Sequence, residues 1–273
     1  MTLRFMSLAS GSSGNCYYVG TADYGVLVDA GIGLRTIRKA LRQADIDFDR
    51  ILAVLVTHDH GDHIKTVGCL GERCHIPVYA TERVHTGINR SRYVDEPLRT
   101  AGRVIEKGVP FTIRDLTIEA FEIPHDSSDC VGYFITCGPH RLVIASDIGQ
   151  PTDTIARYVN RARHLVLEAN YDEDMLRNGR YPYSLKERVA GPGGHLSNRE
   201  AADFLAAHHA PDLRRVWLCH LSRENNRPEL AYETVSRRLT EAGVRIAPDT
   251  LRLDVLQRNA PPPPPPAHPR RGQ

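Results

Sequence analysis

Apolar positions in the first part of the chain come in short runs broken by turn residues. Residues 3–8, 16–19 and 26–29 have strand-like sequences, separated by glycine- and serine-rich turns at 10–14 and 20–25. Leu34, Ile37, Leu41 and Ala44 then recur at three- and four-residue steps, which predicts an amphipathic helix over 34–44. Residues 51–56 form an unbroken apolar run, the pattern of a strand covered on both faces. Further along, 116–123 alternates apolar and polar side chains. Strands are predicted at 131–136, 142–145, 165–168, 216–219 and 251–256, with helices at 197–208 and 228–242. Ser197 and Glu200 have capping-box spacing, so the first of these helices begins just beyond His195. Strand clusters interleaved with helices predict an α/β architecture of two sheets with helices outside.

The run at 51–56 leads into the densest chemistry of the chain, His58-Asp59-His60-Gly61-Asp62-His63. Imidazole nitrogens and carboxylate oxygens are ligands of zinc and manganese, and α/β proteins gather such groups at the carboxyl ends of strands. The alternative, a solvated polar turn, has no need of three imidazoles in six residues.

This string is similar to the His-x-His-x-Asp-His signature of metallo-β-lactamase-fold hydrolases, and further motifs follow in that family's order. Asp29 in Val28-Asp29-Ala30-Gly31 resembles the first-motif aspartate. His125 in Pro124-His125-Asp126 matches the third-motif histidine, Asp147 in Ala145-Ser146-Asp147 the bridging aspartate, and His220 in Cys219-His220-Leu221-Ser222 the last ligand. The resemblance implies an αββα sandwich of two mixed sheets with flanking helices and two divalent metal ions, zinc or manganese. By it His58, His60 and His125 would hold one ion, Asp62, His63 and His220 the other, and Asp147 would bridge them. Asp62 and Asp29 would also serve catalysis, Asp29 by orienting a ligand histidine. Such a pair of ions suits phosphodiester cleavage, and equally the hydrolysis of small esters, thioesters or lactones.

Gly194-His195-Leu196-Ser197-Asn198 lies between the bridging aspartate and the last ligand. It resembles the segment whose histidine donates a proton to, or contacts, phosphate in the family's nucleases, and the helix start beside it suits an anion. With residues 7–15, 168–172 and 220–226 it resembles the YycJ/WalJ-type branch over residues 3–257, which implies a metal-dependent exonuclease acting on DNA rather than RNA. Ser12, Asn15, Ser197, Asn198, Ser222 and Asn225 are the candidate substrate contacts, and Glu168 is a candidate partner of His195. Many nucleases of this fold insert a cap domain between the bridging aspartate and the phosphate-contacting histidine. Here those residues are 48 positions apart, too close for one.

Composition adjusts this picture little. Of 273 residues 41% are hydrophobic and 25% charged, as in ordinary globular proteins, and a net charge of +2 is too small to imply nucleic acid unless basic groups cluster locally. Candidates for such clusters are Arg90 and Arg92 beside Tyr93, and Arg177, Arg180, Lys186 and Arg188 around Tyr181 and Tyr183. The alternative is solvated surface. The chain start lacks a signal-peptide core, no apolar run is long enough to span a membrane, and six cysteines show no paired spacing. These features predict reduced thiols in a cytoplasmic protein. Six consecutive prolines at 261–266 predict that a hydrolase domain of residues 1–258 is followed by a disordered proline-rich tail, 259–273.

Overall fold

The computed structural model describes residues 2–94 and 96–258, so the expectation for the tail lies outside the described residues. Strands β1 (Arg4–Ala9), β2 (Cys16–Gly20), β3 (Gly25–Val28), β4 (Ile51–Leu55), β5 (Val78–Ala80) and β6 (Gly102–Val104) form one sheet in chain order. A second contains β7 (Phe111–Ile113), β8 (Leu116–Glu122), β9 (Val131–Cys137), β10 (His140–Ala145), β11 (His164–Glu168), β12 (Arg215–Cys219) and β13 (Arg252–Val255), also in chain order. Each sheet is mixed. β1 to β3 are antiparallel and β3 to β6 parallel; β7 to β10 are antiparallel and β10 to β13 parallel.

The apolar runs follow from burial on both faces. Val26 and Val28 join Leu116, Ile118, Tyr133 and Ile144 in the core between the sheets. Leu27, on the other side of the same strand, packs with Ile37 and Leu41 of helix α1 (Leu34–Gln43) and with Val84 and Ile88 of helix α3 (Glu82–Arg90). In the second sheet Leu142 and Ile144 face inward. Val143 and Ala145 cluster with Ile155 of α4 (Asp153–Val159), Leu205 of α7 (Asn198–His208) and Val235 of α8 (Pro228–Glu241). The result is the expected αββα sandwich, because strands in mixed sheets covered by helices must be apolar on both faces.

Helix α7 is capped by Ser197, with both halves of the capping box formed. Three shorter helices, α2 (Gly61–Ile64), α5 (Glu173–Asn178) and α6 (Tyr183–Ala190), lie in the connections. The interval between Asp147 and His195 holds α4, β11, α5 and α6 and no inserted domain. No helix among the described residues is long and apolar enough to cross a membrane.

Candidate metal centre

The ends of β3, β4, β8, β10, β11 and β12 converge, delivering residues from both sheets to one place. Asp29 and His220 follow a strand directly and Asp147 follows one residue later, and all three adopt left-handed backbone, with φ of 60°, 55° and 57°. This conformation costs a non-glycine residue on the order of 1–3 kcal/mol, so the surrounding packing must impose it. Gly31 shows how tight that packing is. A Cβ there would lie 1.6 Å from the Asp62 carbonyl oxygen. The backbone bonds Ala30 N to His63 O and Asn15 N to Asp62 O, both 2.8 Å, fasten the three loops together.

Six imidazoles form a closed ring. Successive centroids are 4.7 Å apart from His58 to His60, 4.9 Å on to His125, 5.1 Å on to His195, 5.2 Å on to His220, 5.6 Å on to His63 and 4.1 Å back to His58. Asp147 is enclosed by this ring, with carboxylate oxygens 3.5 Å from His63 Nε2, 3.5 Å from His220 Nε2 and 3.8 Å from His125 Nε2. Donor atoms converge closely enough to hold an ion in the sets His58, His60, His125 and Asp62, His63, His220, Asp147 joins His58 and His63 in a third set, and Asp147, Glu168, His195 and His220 form a fourth.

The donor chemistry fits a divalent cation. His58 Nδ1 is 3.0 Å from Thr57 Oγ1, and His63 Nδ1 is 2.8 Å from Asp29 Oδ2. His125 Nδ1 donates to Gly194 O at 3.0 Å, and His220 Nδ1 lies 3.1 Å from Glu168 Oε1. Metal-binding histidines characteristically commit one nitrogen to a protein partner in this way, which leaves the other for the ion. His60 is turned around, with Nδ1 toward His125 and Nε2 3.2 Å from Asp126 O. His58 Nε2, His220 Nε2 and Asp147 Oδ2 are buried without a hydrogen-bond partner among the described residues. Buried polar atoms are rarely left so unless they have another ligand.

Electrostatics agree. Burial works against charge on His63, but Asp147, Asp29 and Asp62 outweigh it and bring its pKa up to about 9. The same contest, won by Asp147, Asp62 and Glu168, raises His220 well above its ordinary value. Burial also opposes the Asp147 carboxylate, yet His220, His63, His58 and His125 hold it well below the usual range. Burial and neighbouring imidazoles push His58 and His125 down. Carboxylates that favour positive charge on His63 and His220 make a site that attracts a dication, which would take the place of those protons.

Around this centre the supporting residues are buried. Asp29 Oδ1 accepts Thr57 N at 2.8 Å while Oδ2 meets His63. Glu168 Oε1 lies 2.7 Å from His195 Nδ1, and Oε2 accepts Ile148 N and Leu196 N at 2.7 and 3.2 Å. His195, partly exposed, thus has its Nδ1 engaged by Glu168.

The expected substrate contacts divide sharply. Ser12 is exposed. The other five are buried, mostly with partners inside the protein. Asn15 accepts Gly11 N at 2.9 Å, and its Nδ2 is 2.9 Å from His63 Nε2, on the floor of the site. Ser197 caps α7, Asn198 pairs with Asn226, and Ser222 Oγ accepts Asn225 N. The Asn225 amide is buried with neither polar atom hydrogen-bonded among the described residues. Asn15, Ser197, Asn198 and Ser222 thus fasten loops together, standing near helix starts or strand ends whose backbone groups need partners. Thr57 and Asn170 were not singled out in the sequence. Thr57 links Asp29 to His58, and Asn170 Nδ2 donates to His220 O at 2.8 Å. The sequence signal for Thr57 is its place beside His58, and that for Asn170 its place in the 168–172 segment.

The family described as the beta-lactamase superfamily domain matches residues 24–221. Exodeoxyribonuclease YycJ of Bacillus anthracis is 36% identical over 244 residues, covering 89% of this chain and 91% of the relative. Exodeoxyribonuclease WalJ of Streptococcus pneumoniae is 33% identical over 246 residues, covering 90% and 91%. Among solved structures, zinc-bound PqqB from Methylobacterium extorquens superimposes with a TM-score of 0.68 at 17% identity, over 94% of this chain and 98% of that one, a likeness of fold. With this fold and these motifs, the chain belongs to the beta-lactamase superfamily, in its YycJ/WalJ-type branch.

Proposed function

We propose that this protein is a hydrolase with two divalent ions, zinc or manganese, that cleaves phosphodiester bonds of DNA as an exonuclease. The observation that carries the reading is the imidazole ring. Five of its histidines fall into the two ligand sets around Asp147, while His195, which converges with Asp147, Glu168 and His220, has its Nδ1 engaged by the buried Glu168 carboxylate. Bound ions would activate water and stabilise charge on the phosphate oxygens. Asp29 and Thr57 hold His63 and His58 in orientation. His195, with Nδ1 fixed by Glu168, has Nε2 available to contact the phosphate or to protonate the departing oxygen. Asn15 and Asp62 close the floor of the site beside His63. Asn15 lies beside His63, Ser197 and Ser222 fasten the loops that follow His195 and His220, and Ser12, which is exposed, is free to meet substrate.

The names of the YycJ and WalJ relatives support DNA as the substrate. None of the six cysteines is in a disulfide among the described residues, which supports a reducing, cytoplasmic setting. The decisive test is degradation of 5′-labelled DNA and RNA by protein loaded with manganese or zinc, alongside nitrophenyl esters and thioesters. Stepwise loss of DNA length is expected. Turnover of carboxylic esters or thioesters without any cleavage of nucleic acid would overturn the reading.

A further inference from the structure

A cavity of about 290 Å³ opens beside the metal centre, lined by Asp59, Thr86, Gly87, Arg90, Ser91 and Ser128. Asp59 stands between the ligand-set residues His58 and His60, so one wall of the cavity belongs to the loop that carries those ligands. The fold builds this wall closely. Asp59 Oδ1 accepts Ser128 N at 3.1 Å and Oδ2 accepts Ser128 Oγ at 2.5 Å. Gly87 brings α3 so near that a Cβ there would lie 1.9 Å from Asp59 Oδ2. The Asp59 carboxylate is thereby occupied within the protein.

Arg90 of the lining, and Arg92 and Tyr93, which follow Ser91 of the lining in the chain, have the opposite character. Arg90 ends α3, is exposed, and has no carboxylate partner among the described residues. Tyr93 is 53% exposed although it is a large aromatic side chain. Its ring covers Gly61 of the metal-motif loop, where a Cβ would come within 2.7 Å of it. The Arg92 guanidinium lies 5.1 Å from the centroid of that ring and bonds its hydroxyl at 3.1 Å. A free cation, an exposed ring and a guanidinium plane together match the chemistry that holds a nucleotide, namely phosphate neutralisation and stacking on a base face.

We propose that this cavity is a subsite for one nucleotide next to the scissile phosphate, with Arg90 on a phosphate and the Arg92–Tyr93 pair against the base. The inference rests on the nuclease reading above and adds a substrate requirement to it. A base can present its face to the pair only where it is unstacked from a neighbour, so the subsite takes a strand end or an unpaired strand. The cavity lies at the small end of ligand pockets, roughly 300 Å³, and suits one nucleotide rather than a base pair.

The test uses metal-loaded, full-length protein and a fluorescein-labelled, phosphorothioate-linked oligothymidylate as a slowly cleaved binding probe, followed by anisotropy. Tyr93→Ala should weaken binding about 5- to 100-fold, and Tyr93→Phe should restore it, since the ring and not the hydroxyl provides the stacking surface. Arg90→Ala should weaken binding and flatten its logarithmic salt dependence by about 0.7, with Arg90→Lys intermediate. On the unmodified oligonucleotide both alanine variants should raise KM far more than they lower kcat, with metal content unchanged. Arg237→Ala, on the distant helix α8, serves as the control. The subsite is refuted if wild-type protein binds and cleaves DNA while both alanine variants bind within twofold of it. It is also refuted if Tyr93→Ala sheds metal, which would make the ring a buttress of the motif loop. If wild-type protein hydrolyses nitrophenyl phosphodiesters but neither binds nor cleaves DNA, the nuclease reading itself fails and the subsite with it.

Discussion

At the scale of single residues, the distinction that matters most is between a histidine that holds an ion and one that does not. His220 and His195 share the same buried carboxylate oxygen of Glu168, yet His220 turns an unpartnered Nε2 inward beside Asp62 and Asp147 while His195 remains partly exposed. Replacing His195 with alanine should therefore leave metal content and fold intact. It should slow DNA cleavage by about 10²–10⁴-fold, the usual contribution of a positioned proton donor. A diester with a nitrophenolate leaving group, which needs no proton, should be largely spared. Loss of an ion in that variant, measured by elemental analysis, would make His195 a ligand instead. A second residue-scale effect lies at the opposite ends of the strands. Half-buried His164 is depressed to about 4 by burial, by His140 and by Arg163, Arg215 and Arg141. Its folded pKa is below the unfolded value near 6.5, so the unfolded chain binds the extra proton as pH falls between these values. Stability is thus fully present above about pH 6.5 and declines toward pH 4. Allowing for solvent screening, the loss is about 1–2 kcal/mol, and His164→Gln should remove that part of the acid sensitivity in denaturant melts at pH 7 and 4.5.

At the scale of elements, the start of α7 connects stability to the site. Ser197 Oγ accepts Glu200 N, and the Glu200 side chain accepts Ser197 N at 2.8 Å. Two residues upstream is His195, and Leu196 N is held by Glu168. Ser197→Ala removes the cap and should cost about 1–2 kcal/mol, seen as a Tm lowered by roughly 2–6 °C. An unchanged Tm would show that the Glu200 half of the box is sufficient. The three-residue strands β5 and β6 illustrate a different limit. They are too short to show a two-residue period; β5 pairs on the parallel edge that β4 leaves open, and β6 on the edge of β5. Helix α6 buries none of its residues and is tethered by Arg188, whose Nε lies 2.5 Å from Asp126 Oδ2. With no buried face it leaves no apolar stripe to read.

At the scale of the whole molecule, the metal centre is a joint between the two sheets. His58, His60, Asp62 and His63 follow β4 of the first sheet, whereas His125, Asp147 and His220 follow β8, β10 and β12 of the second. Ions bound there would tie the layers together, so chelation should lower stability globally rather than loosen one loop. At free ion concentrations one hundred times Kd, each ion should add about 2.7 kcal/mol, readable as a higher thermal midpoint in metal-loaded protein than in chelated protein. Asp147→Ala should abolish most of this difference and reduce the metal content, because its carboxylate lies within reach of imidazoles from both sides of the ring.

What the amino-acid sequence determined by itself were features that depend on neighbouring residues. They include the apolar runs of doubly covered strands, the helical spacing of α1, the capping box of Ser197, and the ligand types packed into 58–63. Residue type and local period dictate these, and the structure places each where the pattern requires. Tertiary structure alone decided how residues far apart in the chain divide their roles. The expected contacts at Asn15, Ser197 and Asn198 look like polar loop residues in sequence, yet they are buried and joined to backbone or to other side chains. Thr57 and Asn170 gained their places through partners 28 and 50 positions away. The reason is physical: a serine or asparagine carries the same donors and acceptors at a surface as in a core. Which partner satisfies them is set only when two sheets close and water is excluded.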